Sequence, residues 1–133
     1  MPNLSVEMPT FFPFPAAPVD TGYRLFPDSF ENDDHVFFHG TAEVNLASIL
    51  ANGFRIAGEL PSVSFAKNCS LSLGYACNAR SVSSPNSVVI AVRYENLEKP
   101  FIKQEAFGLH VYCFSEQPKI IGYCVVPASY VYC

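Results

Sequence analysis

From His35 onward, short apolar runs alternate with polar turns, and each run predicts an element. Val36, Phe37 and Phe38 read as a buried strand ending near Gly40, where a residue without a Cβ lets the chain turn sharply. Leu46, Ile49 and Leu50 fall at helical spacing, which predicts a helix with Thr41 as its N-cap, Gly53 as its stop, and Phe54 folded back on it. Residues 62–65 predict a short strand. Residues 70–79 predict a second helix opening at Asn68 or Ser70, and the polar stretch 81–87, with Pro85, a loop. The β-branched run 88–92 predicts a core strand, and two more follow at 109–114 and 120–126, parted by a turn at 115–118. The sum is an α+β fold with at least five strands in two packed or split sheets, with 36–39 and 88–92 central.

Residues 1–34 break this pattern. Pro9, Pro13, Pro15 and Pro18 stand among Phe11, Phe12 and Phe14, which forbids helix and predicts an extended arm. Exposing that many phenylalanines would be costly, so the arm is expected to lie against the domain formed by residues 35–133, with an acidic turn at 28–34 between them. Half of the 133 residues are hydrophobic and 15% are charged, a balance that supports one packed core and excludes a disordered chain.

Twelve acidic residues oppose eight basic ones, and the basic ones are scattered. Phosphate-backbone binding needs them clustered, so a nucleic-acid partner is disfavoured. The five cysteines are odd in number and contain no C-x-x-C pair, which argues for reduced thiols acting as small buried hydrophobes, and no metal. With neither a secretory pattern nor an apolar run of about eighteen residues, the chain reads as soluble and cytoplasmic, without a membrane partner.

The stretch carrying chemistry is FHGT at 38–41, NGF at 52–54 and SFAKNCSLSLGYA at 64–76. It resembles the catalytic domain of the poly(ADP-ribose) polymerase-like ADP-ribosyltransferases. Their pattern is His-Gly-Thr, a helix ending in Gly-Leu, Tyr-Phe-Ala, and a serine three residues before a tyrosine. The resemblance extends over residues 36–126 and needs no gap from Ser64 to Tyr75. It implies an ADP-ribosyltransferase-like split or two-sheet β core with flanking short helices, and NAD as substrate. It further implies that His39 holds a ribose hydroxyl, that Gly40 and Thr41 bring backbone to the nicotinamide amide, that Ser72 bonds its oxygen, and that Tyr75 stacks on the pyridinium. Taken singly, each residue has a plainer use: His39 as a structural histidine, Ser72 as a helix cap, Tyr75 as a core aromatic.

Two members of the family's His-Tyr-Glu triad are missing. Ser64 stands at the tyrosine position, and the glutamate position aligns with Leu109, or with Gly108 in a register shifted by one. Restoring both, by Ser64→Tyr with Leu109→Glu, is expected to raise turnover. Glu105 is the nearest carboxylate that could substitute if its loop folds inward; otherwise it is a solvated charge. On a period-two strand His110 points away from Leu109, and so away from the cleft. Cys69 and Cys77 flank the site, and Glu116 and Gln117 read as surface residues in a turn. These features predict a mono-ADP-ribosyltransferase acting on a protein or other acceptor, or an inactive relative that binds NAD, ADP-ribose or a protein partner. An RNA 2′-phosphotransferase is disfavoured by the acidic charge.

Overall fold

In the computed structural model, residues 9–16, 24–56, 58 and 60–131 are described. The elements in chain order are β1 (Thr10–Phe11), α1 (Asp28–Glu31), β2 (Val36–Ala42), a 3-10 turn (Glu43–Asn45) running into α2 (Leu46–Asn52), β3 (Val63–Ala66), α3 (Cys69–Asn78), β4 (Ser87–Arg93), β5 (Ile102–Glu105), β6 (Gly108–Val111) and β7 (Lys119–Val126). The fold is mixed α+β, and its strands lie in the order β1-β7-β4-β2-β3-β6-β5. All neighbours are antiparallel except β1 and β7.

The apolar run of β4 is buried on both faces, which is why it shows no polar alternation. Val89 and Ala91 join Val36, Phe38, Leu73, Ala76 and Cys124 on one side. Val88, Ile90 and Val92 join Phe37, Phe54, Phe65, Leu109 and Val111 on the other.

Where two sheets were expected, hydrogen bonding joins all seven strands into one. The junction between β2 and β3 is nevertheless a single pair, Phe38 with Ala66. Beyond it β2 stays on β4 as far as Ala42 with Ser87, whereas β3 follows β6 as far as Val63 with Val111. The sheet is thus parted after Phe38, and the side-chain bond from His39 Nδ1 to the Ser64 carbonyl, 2.8 Å, spans the gap that the backbone ladder leaves.

Several boundaries differ from expectation. Thr41 is not a helix cap: β4 continues far enough to hold it in β2, opposite Val88, and the helical path starts only at Glu43. Asn45 takes the cap position of α2 without a capping bond and instead donates to Thr41 Oγ1 at 3.0 Å. Asn68 is the N-cap of α3, accepting from the Leu71 amide at 2.8 Å. The Lys103–Glu105 stretch, read as a loop, forms the edge strand β5. Its charges suit an edge, because they discourage pairing with another chain.

The described part of the arm lies on the domain. Thr10 and Phe11 pair with Gly122 and Tyr123 on the β7 edge, and Phe12 meets Phe26 and Phe30 edge-on at 5.2 and 5.5 Å. The remainder of the expected arm, residues 1–8 and 17–23, lies outside the described residues. No helix among the described residues is long and apolar enough to cross a membrane.

Candidate functional site

The parting of β2 from β3 opens a cleft of about 780 Å³, within the ~300–1,000 Å³ of small-molecule sites. His39, Gly40 and Thr41 enter it from β2, Ile49 and Gly53 from α2 and its stop, Ser62 from just before β3 and Ser64 from within it, Tyr75 from α3 and His110 from β6. Among the described residues, no carboxylate lines it.

His39 is oriented by the parted ladder. A carbonyl oxygen can only accept, so the bond to Ser64 fixes the proton on Nδ1 and leaves Nε2 as an acceptor. The rings of Phe54 and Phe65 stand 5.4 Å away on two sides. Burial holds the His39 pKa below its ordinary value, against the smaller opposing effect of the Ser64 carbonyl, and the ring is neutral at pH 7. A neutral imidazole with one free acceptor nitrogen suits a hydroxyl donor.

Gly40 is required by helix packing. A Cβ built there would lie 2.1 Å from the Ser72 carbonyl oxygen and 2.6 Å from the Ala76 nitrogen, so β2 and α3 meet backbone to backbone. This contact also decides the fates of Ser72 and Tyr75. Residues three apart on a helix differ in direction by roughly 60°, and the contact with β2 is made at Ser72 and Ala76, on the side of Ser72 away from Tyr75. Tyr75 remains 53% exposed on the cleft wall, while Ser72 is fully buried.

The Ser72 hydroxyl donates to the Cys69 carbonyl at 2.9 Å, within its own helix. Its expected bond to a nicotinamide amide is therefore corrected: the hydroxyl is committed to the backbone and does not line the cleft.

On β6 the expected alternation holds but the faces are exchanged. Leu109 pairs with Phe65 and is 2% exposed in the core, so it is no ligand contact. His110 pairs with Ser64 and faces the cleft. The two side chains thus take the faces opposite to those expected from the sequence. Ser64 Oγ lies 2.9 Å from His110 Nδ1, and the more distant Ser62 hydroxyl 3.5 Å from the same nitrogen.

Glu105 does not enter the cleft. From the end of β5 its Oε1 lies 3.4 Å from His110 Nε2, while Oε2 lies 3.7 Å from Lys103 Nζ. Ser64 thus serves both histidines, holding His39 through its carbonyl and His110 through its hydroxyl.

Gln117 was read as a surface residue and has a positioning task that no local pattern announces. Its side chain accepts from the Phe54 amide at 2.8 Å and donates to the Phe54 carbonyl at 2.7 Å, clasping the segment after Gly53 that floors the cleft. Cys69 is buried, and burial pushes its thiol up to about 12, which makes it an inert neighbour; Cys77 is half-buried with its thiol also raised by burial. Among the described residues, no group of three or more His, Cys, Asp or Glu is placed to hold a metal ion. No protein-family model matches the chain, and no curated protein matches it either.

Proposed function

We propose that this chain has an ADP-ribosyltransferase-like fold, binds NAD in the cleft, and cleaves it at the nicotinamide bond to transfer single ADP-ribose units to a protein acceptor. The observation that carries the reading is one cleft shared by His39, Gly40 and Thr41 at the end of β2 and Tyr75 on α3. These are residues that the FHGT and S-x-x-Y patterns single out independently of any structure. Tyr75 offers a ring face to a pyridinium cation, a contact worth about 0.5–2 kcal/mol. His39 Nε2 offers an acceptor to a ribose hydroxyl. As the bond from C1′ to nitrogen breaks, its electron pair leaves on nicotinamide, and the sugar passes through an oxocarbenium-like state that the acceptor nucleophile captures.

A second reading, binding without catalysis, is favoured by a cleft wall in which none of the described lining residues is a carboxylate, since such a group ordinarily stabilises the developing cation. Incubating the pure protein with NAD while measuring free nicotinamide, alongside calorimetric titration, separates the two. Release above the no-protein background supports transfer; saturable binding without release supports the second reading; neither one sinks both.

A further inference from the structure

Ser64, His110 and Glu105 form a continuous line across three neighbouring strands, from the cleft wall to the edge of the sheet. Their chemistry fixes the direction of that line. Glu105 Oε1 stands 3.4 Å from His110 Nε2, an ion-pair contact that favours the neutral tautomer with its proton on Nε2 and its Nδ1 lone pair presented to Ser64. The Ser64 hydroxyl then donates to His110, which leaves its oxygen lone pairs directed at the cleft. A hydroxyl, a base accepting from it and a carboxylate orienting the base make the arrangement that activates a nucleophile. Lys103 Nζ stands 3.7 Å from the second oxygen of Glu105, and the Tyr112 ring stands 6.5 Å from that of His110. Because the Ser64 carbonyl also orients His39, a ribose hydroxyl bound at His39 brings the sugar beside the Ser64 side chain.

We propose that Ser64 is itself an acceptor: the chain ADP-ribosylates its own Ser64 inside the cleft, with His110 as the general base and Glu105 as the positioning residue. This rests on the NAD reading above. Ser64 Oγ forms a bond to C1′ as the bond from C1′ to the nicotinamide nitrogen breaks. The electron pair of the broken bond leaves on nicotinamide, which departs neutral, and the hydroxyl proton passes to His110 Nδ1. The resulting imidazolium faces Glu105. A serine alkoxide is a poor leaving group, so the O-linked product persists, fills the cleft and ends the use of NAD after one event per chain.

The test is incubation of the full chain with saturating NAD, read by intact mass, peptide mapping and released nicotinamide. The expected result is one ADP-ribose on Ser64 and one equivalent of nicotinamide, with both absent in Ser64→Ala. His110→Asn should slow the adduct about a hundredfold, the scale of a lost general base. Glu105→Gln should slow it less while leaving the NAD concentration for half-maximal rate unchanged, a split that a merely structural role would not produce. Circular dichroism confirms that each variant is folded. Sustained release of many equivalents with no mass on Ser64, or an adduct forming at the wild-type rate in His110→Asn, would overturn the self-modification while leaving the NAD reading intact. Failure of both wild type and Ser64→Ala to bind NAD would overturn both.

Discussion

Gly40→Ala should cost the protein stability before it costs any ligand contact. The new Cβ would meet two backbone atoms of α3, the Ser72 oxygen at 2.1 Å and the Ala76 nitrogen at 2.6 Å, and neither can rotate away as a flexible side chain would. Moving the oxygen from 2.1 Å to the 3.4 Å at which ordinary contact begins means about 1.3 Å of separation. That displacement pulls Cys69, Ser72, Leu73 and Ala76, the buried residues of α3, off the sheet. Overpacking of this kind costs about 1–3 kcal/mol, and rigid backbone obstruction argues for about 3 kcal/mol or more. For a chain of this length each kcal/mol lowers Tm by roughly 3–6 °C, so a fall of roughly 10 °C or more is expected. Calorimetric melting and urea titration, in the absence of any ligand, provide the assay. Adding Ala76→Gly should not rescue the variant, because it removes the Ala76 Cβ at 3.0 Å but neither backbone atom. A loss below about 0.5 kcal/mol, the range of an ordinary surface change, would refute the packing argument and return Gly40 to a purely ligand-facing role.

Three further outcomes are expected. Tyr75→Ala should weaken NAD binding by about 2- to 30-fold in calorimetric titration and leave Tm nearly unchanged, since the ring is half exposed; unaltered affinity would remove the stacking face from the site. Leu109→Glu, the restoration suggested by the family pattern, should abolish folding near neutral pH by burying a charge among Phe65, Ile90 and Val111, and Leu109→Ala should cost about 2–5 kcal/mol; a folded, more active Leu109→Glu protein would disprove the burial. The lowered pKa of His39 means that the unfolded chain takes up a proton the folded chain resists, so this contribution is complete above the ordinary value of 6.5 and is lost as pH falls through the folded pKa. Urea titrations from pH 7.5 to about 5 should therefore show a decline that is shallower in His39→Gln, and parallel curves would contradict it.

Much of the fold was legible from local pattern, and the cleft only in part. The apolar run of β4, the helical spacing after Glu43 and the stop at Gly53 are properties of short segments, because burial period and backbone freedom act over a few residues. The FHGT and S-x-x-Y motifs likewise brought forward His39, Gly40, Thr41 and Tyr75 before any geometry, and all four line one cleft. What local pattern does not encode is which face of an element meets which neighbour. Period two separated Leu109 from His110, yet only pairing with Phe65 and Ser64 decided that the leucine belongs to the core and the histidine to the cleft. Helical spacing set Ser72 near Tyr75, yet the backbone contact at Gly40 buried one and exposed the other. The Ser64, His110 and Glu105 line joins three strands distant in sequence, and the Gln117 clasp on Phe54 spans 63 residues. Such contacts are decided by sheet order and by the parting after Phe38, quantities that no window of neighbouring residues contains.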